Sequence, residues 1–404
     1  MTTAPRTDLT DVDLFVTEQH LDAFAWLRAN DPIHWNEGAD GSAFWALTRY
    51  DDVLWAYREH GLFGSTRGAV LGGSFRSTDD TAGNRMLVAS DLPRHRLLKQ
   101  VIHPALAATV VERVTAQVRV LLDAAIERML ADGGADIATD VATELPAGAL
   151  MVVMGIDHAE AHHLIGLTRR MVGFRDEQFV DTGGDQRLRL AWLQAEVFEF
   201  FADLLAPRRA RSGDDLLSVL SRAKLNGRPL PEEDIFFNCM NVAVGGNETS
   251  SYTACLGVEA LLAHPEEHAR LARTPDLLVS AVEEILRWAS VNAYVQRVVK
   301  QDVERDGVLL RAGDSVTLWN VSANRDETRF DDPDNFDLGR TPNRHLSYGA
   351  GIHRCIGAPI AQTELLLFFE RFAALSGRVR SSGPARRLRS NFILGTTSLP
   401  VAVG

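Results

Sequence analysis

Residues 231–263 constrain the fold of this chain more than any other stretch. They open with Pro-Glu-Glu-Asp and run to His264-Pro265, so they read as one helix of some thirty residues. At about 1.5 Å per residue such a helix is roughly 50 Å long, the width of a whole domain. Residues 236–254 carry few charges on any face, which predicts burial on all sides. Other elements must therefore surround it, and with 404 residues, 46% of them hydrophobic, the chain can supply a large core. Yet the centre of the stretch reads Gly245-Gly246-Asn247-Glu248-Thr249. Each mid-helix glycine costs about 1 kcal/mol relative to alanine, and a carboxylate in an apolar helix needs a reason. Two readings stand side by side. One is close helix packing at the glycines with Glu248 paired elsewhere. The other is a kink where the glycines bare the backbone to a ligand.

A second stretch narrows the choice. His345-Leu-Ser-Tyr-Gly-Ala-Gly-Ile-His-Arg-Cys355-Ile-Gly357 is a glycine-punctuated loop with one cysteine near its end. The apolar run 358–370 follows as a buried helix with Pro359 in its first turn. A cysteine just before a helix N-terminus meets the positive end of the macrodipole and the loop's N–H donors, which favours a thiolate. A thiolate supported in this way is suited to ligate a metal. For a lone cysteine the default is a buried structural role, but the glycines on one side and the helix on the other favour the ligand.

The loop resembles the haem-binding signature of the cytochrome P450 family, Phe-Gly-x-Gly-x-His-x-Cys-x-Gly. Here it reads Tyr348-Gly349-Ala-Gly351-Ile-His353-Arg-Cys355-Ile-Gly357, with Tyr348 in place of Phe. The resemblance covers the chain from about Glu18 onward. It implies a mainly α fold with a small β-sheet region, and haem b between the long central helix and the helix after the cysteine loop. Cys355 would be the axial thiolate to iron, with Gly357 and Gly245 against the cofactor. Residues 245–249 resemble the family's oxygen-activation motif. By that match Glu248 and Thr249 are catalytic: Thr249 contacts dioxygen and Glu248 is the acid of a proton relay. Asp91-Leu-Pro-Arg-His95-Arg-Leu-Leu-Lys99 resembles Asp-Pro-Pro-x-His-x-x-x-Arg. His95 and Lys99 share one helical face, which suits the haem propionates, and Lys99 keeps the family's charge but loses its bidentate fork. Arg297 and His353 match the remaining propionate partners, with His345 a weaker candidate. Glu284, Arg287 and Arg340 match a structural ion network.

Substrate contacts are expected from Leu71, Phe75, Met86 and Val88 in the glycine-rich region 62–89. Further contacts are expected from Asn241 and Val242 on the central helix and from the segment Val291-Asn292-Ala293-Tyr294-Val295. Phe392 and Ile393, in a terminal hairpin over 391–400, complete the set. Elsewhere, 18–29 reads as a helix, 33–35 and 44–47 as strands, and 171–174 and 190–205 as helices over the site. The aspartates ending at Asp215 suit a helix cap. His158 and His162 are four apart, but Asp157-His-Ala-Glu-Ala-His-His163 is not His-Glu-x-x-His, so it reads as a solvated helix start rather than a metal site.

The function implied is haem-thiolate monooxygenation of a small organic molecule, chiefly hydroxylation, in a setting of secondary metabolism. Dioxygen is the co-substrate, and NAD(P)H electrons arrive through a ferredoxin or flavodoxin and its reductase. Arg94, Arg96, Lys99 and Arg354 form a candidate docking patch for that partner. Oxidative coupling or cyclisation on the same centre, peroxide-driven oxidation and non-catalytic gas binding are the alternatives. The net charge of −12 argues against a nucleic-acid partner. The N-terminal residues contain no apolar run, so neither a signal peptide nor a membrane anchor is expected. Three cysteines, Cys239, Cys255 and Cys355, are too few for a disulfide framework, which fits a cytoplasmic protein. No linker divides residues 1–404, so one domain is expected.

Overall fold

The computed structural model describes residues 7–39, 41–71, 81–209 and 213–404. Phe75 lies outside them.

The central helix is Glu232–Ala263, with Glu232, Glu233 and Asp234 in its first turn and its end at His264, just before Pro265. The acidic start complements the positive end of the helix dipole, and the residue before a proline disfavours helical geometry. The helices packed most closely on it include Glu144–Met154, His158–Val172, Leu278–Ala289 and Ala358–Ala373. At Gly257 a Cβ would stand 2.4 Å from the Phe369 ring and 2.7 Å from Ile285. Close packing therefore does operate on this helix, but at Gly257, well away from the glycine pair.

A five-stranded sheet lies to one side, in the order Ile33–Glu37, Ala43–Leu47, Ser315–Trp319, Tyr294–Val299, Phe63–Gly64. The first two strands form the expected hairpin, antiparallel with Ile33 opposite Leu47. Strand Tyr294–Val299 pairs antiparallel with Ser315–Trp319, Arg297 opposite Val316, which fixes where Arg297 leaves the backbone. The expected helix over 18–29 is His20–Asn30. The one over 171–174 is the end of His158–Val172, so Phe174 lies beyond it. Asp215 caps Leu216–Arg222 by accepting the Ser218 N–H at 3.0 Å.

The terminal hairpin also differs. Arg386–Arg387 pairs with Thr396–Ser398, so 391–394 is the tip rather than a strand. Pro400–Val403 joins a separate sheet between Val379–Ser381 and Gly134–Asp136. One stretch, Ile137–Met154, is long and apolar enough to cross a membrane, but 72% of it is buried inside the fold, as in a core helix.

An ion network ties helix Leu278–Ala289 to the segment before the cysteine loop. Arg287 donates to both oxygens of Glu284 at 2.8 Å, and both side chains are fully buried. Arg340 donates to the same carboxylate at 3.2 Å and to the Asp331, Asp332 and Asn335 carbonyls. Arg287 also holds the Asn324 and Pro333 carbonyls at 2.9 Å. The three expected members thus meet, and their spare donors stiffen the irregular chain that delivers Cys355.

Candidate active site

Where the central helix meets the cysteine loop there is a cavity of about 760 Å³, within the range of roughly 300–1,000 Å³ usual for ligand sites. Gly245 and Gly246 face it. They are exposed in the middle of a helix otherwise buried, and a Cβ added at either would meet nothing within 4 Å. The glycines therefore bare the helix toward open space, and close packing does not explain them. Thr249, one turn on, lines the same wall and donates its Oγ1 hydrogen to the Gly245 carbonyl at 2.6 Å.

The facing wall is the cysteine loop, closed by the Cys355 N–H to the Tyr348 carbonyl at 2.9 Å. Gly351 is required there: its φ is +69°, and a Cβ would stand 2.3 Å from the Tyr57 carbonyl. The surface that Cys355 exposes opens into this cavity. The chain alone does not yield the expected thiolate. Burial pushes the Cys355 thiol above its ordinary value, and the Gly357 and Ala358 N–H groups and Arg354 oppose this only in part. A metal cation bound at the sulfur would favour the thiolate.

His95, Lys99, Arg297 and His353 converge on the rim of the cavity. His95 and His353 stack edge to face with ring centres 4.3 Å apart, and Ser65 Oγ lies 3.0 Å from His353 Nε2. Lys99 Nζ donates to the Ile352 carbonyl at 3.0 Å, which bonds its helix to the cysteine loop. Arg297 is buried, and its side chain donates to the Gln296 carbonyl at 2.7 Å. Burial holds His95 down to about 4, helped by the charges of Lys99 and Arg297. His353 is pushed well below its ordinary value for the same reasons. The nearby acid, Asp91, is taken by Lys300 at 3.2 Å and by the Ser65 N–H at 2.8 Å. The cations Lys99 and Arg297 stand beside these two neutral imidazoles with no carboxylate paired to either among the described residues, which suits a ligand that brings two.

Glu248 is not on the cavity wall. It is fully buried on the side facing helix His158–Val172, with Arg169 Nε 3.7 Å away and Asn247 Nδ2 donating at 3.1 Å. Tyr252 and Thr168 approach closely enough to favour its charge, yet Oε2 has no hydrogen bond of full geometry. Burial outweighs these partners and raises Glu248 to about 7.

The expected substrate contacts Leu71, Met86, Val88, Asn241, Val242, Val291, Asn292, Tyr294, Val295, Phe392 and Ile393 all line the cavity. Ala293 does not; it is buried in the cluster around Trp319. His345 is not a propionate partner, because its Nε2 pairs with Glu283 at 3.1 Å. The docking patch also shrinks. Arg94 is held by Asp234 at 2.6 Å and Lys99 points inward, which leaves Arg96 and Arg354 exposed. The Tyr348 hydroxyl neither reaches solvent nor finds a partner among the described residues. Burial and the Cys355 charge raise it.

Glu364 went unflagged. It lies in the helix after the cysteine, lines the cavity, is fully buried and accepts from Ser250 Oγ at 2.5 Å. Burial raises it to about 8. Its one signal in the sequence is a glutamate inside an apolar run read as a buried helix.

A cysteine ligand, a helix bared by glycines and a cationic rim around one mostly apolar cavity define a haem-thiolate protein. The comparisons with known proteins agree. The cytochrome P450 family model matches residues 275–373. A linalool 8-monooxygenase of Pseudomonas putida is 32% identical over 98% of this chain and 99% of its own length. A steroid C26-monooxygenase of Mycolicibacterium smegmatis is 32% identical over 99% of this chain and 97% of its own. A Mycobacterium marinum cytochrome P450 solved with pseudoionone superposes with a TM-score of 0.89 at 27% identity, covering 100% of this chain and 99% of its own. This chain belongs to the cytochrome P450 family. It is a monooxygenase that uses haem iron and dioxygen, with NAD(P)H electrons delivered through a redox partner.

Proposed function

We propose that the enzyme hydroxylates an apolar, branched small molecule. The observation that carries this reading is the cavity lining. Aliphatic and aromatic side chains dominate it. The named relatives lend support. Alongside the linalool and steroid enzymes stands a methyl-branched lipid omega-hydroxylase of Mycobacterium tuberculosis, 35% identical over 94% of this chain and 90% of its own. The names share branched or polycyclic apolar frames.

Haem held by Cys355 supplies the binding and activation of dioxygen when present. His95, Lys99, Arg297 and His353 would hold its propionates. The remaining roles fall to the chain. Thr249 Oγ1, bonded to the Gly245 carbonyl at rest, rotates to offer its proton at the cavity wall. Glu248, raised to about 7, is part protonated at neutral pH and resupplies that proton, while Arg169 stabilises the charge left behind. Glu364, the second buried acid, is raised to about 8 and accepts from Ser250 Oγ. Electrons come from a ferredoxin or flavodoxin docking at Arg96 and Arg354. The setting is secondary metabolism in a reducing cytosol, which suits three unpaired cysteines.

Thr249→Ala tests the relay. Reductant consumption should continue while the fraction coupled to product falls about tenfold or more. Product formed at wild-type coupling would remove Thr249 from the mechanism, and product mass distinguishes hydroxylation from coupling or cyclisation.

A further inference from the structure

Away from the cavity, Glu144, His158 and His162 meet. Glu144 opens helix Glu144–Met154, and the two histidines sit one turn apart at the start of His158–Val172. His158 Nε2 lies 2.9 Å from one Glu144 carboxylate oxygen, and His162 Nε2 lies 3.3 Å from the other. The two Nε2 atoms are 3.1 Å apart.

With Glu144 ionised, no arrangement of protons satisfies all three contacts. If both imidazoles donate to Glu144, two N–H groups face each other at 3.1 Å. If His162 donates to His158 instead, the His158 lone pair is occupied and it has no proton for the carboxylate. A cation at the centre satisfies all three at once. Donors about 2.1 Å from a metal stand about 3.0 Å apart at right angles and about 3.4 Å apart in a tetrahedron, and the observed spacings of 2.9 to 3.3 Å fall in or next to that interval. The neighbouring acids are committed elsewhere. Asp157 and Glu160 form the capping box of the second helix, and His163 packs on Phe200. No Lys or Arg pairs with Glu144 among the described residues. The imidazoles keep their side chains 46% and 34% exposed while the carboxylate is 8% exposed, so one flank stays open to water.

We propose that Glu144, His158 and His162 form a second metal site, for a divalent transition ion such as Zn²⁺, with water completing the shell. Imidazole nitrogen and a single carboxylate favour such an ion over Ca²⁺ or Mg²⁺. The ion bridges two helices that both reach the haem cavity, through Leu150 and Val153 on one and Met171 on the other. None of the three ligands lines that cavity.

The test is equilibrium dialysis and calorimetry of the chelator-stripped holoenzyme with ZnCl₂ near pH 7.5. One saturable equivalent is expected, with a raised Tm. His162→Ala and Glu144→Gln should each weaken binding about tenfold or more, with haem content and the reduced carbon monoxide spectrum unchanged. No saturable equivalent in the wild type overturns the proposal. So does full affinity in Glu144→Gln, which would mean adventitious binding by the histidine pair.

Discussion

Glu248 and Glu364 are raised for the same physical reason, since burial disfavours a charged carboxylate, but their partners separate them. Glu248 has Arg169 at 3.7 Å and stops at about 7. Glu364 has one serine hydroxyl and goes to about 8. A carboxyl raised in the fold binds a proton that the unfolded chain releases from about pH 4.5. Its stabilising share is complete below that pH and disappears as pH rises through about 8. Glu364→Gln should therefore flatten the loss of stability between pH 5 and 8.5, by on the order of 3 kcal/mol. Urea unfolding of both proteins across that range measures it, and parallel curves would contradict it.

The central helix keeps two costly glycines for the benefit of its ligand. Because a Cβ at Gly246 meets nothing within 4 Å, the protein alone has no steric need of glycine there. Gly246→Ala should raise the thermal stability of haem-free protein, by up to about 1 kcal/mol, and lower haem affinity in the same preparation. Calorimetry with haem titration reads both, and a variant that keeps full haem affinity would show that the bared backbone is not a contact surface. The cysteine loop is the counterpart element. Gly349 and Gly351 answer to Tyr57 and to their positive φ, so they are needed with or without the cofactor.

For the molecule as a whole, the buried Glu284 network fixes the segment that carries Cys355. Removing one member leaves a buried charge without its partner, which costs about 3–5 kcal/mol. Glu284→Ala should unfold at markedly lower temperature and lose haem first, a sequence that following the Soret band and circular dichroism together resolves. A variant with wild-type haem retention would confine the network to a passive role.

Much of this was legible before folding. The cysteine loop, the glycine–acid–threonine motif and the basic pair at His95 and Lys99 announce themselves through local pattern, because each needs particular residues at fixed spacing along one element. The first two strands and the central helix were legible for the same reason. What remained hidden depends on contacts distant in sequence. Glu364 meets Ser250 from 114 residues away, and Glu144 joins His158 and His162, which read in the sequence as a solvated helix start. Arg94 was taken from the docking patch by Asp234, 140 residues on. Ala293, on the expected pocket segment, turned into the core. The sequence by itself determined which chemistry the chain carries and the elements that present it. Tertiary structure alone decided which acids are buried together, which cations stay free and which face of each element meets the cavity, because burial and pairing belong to the packed whole.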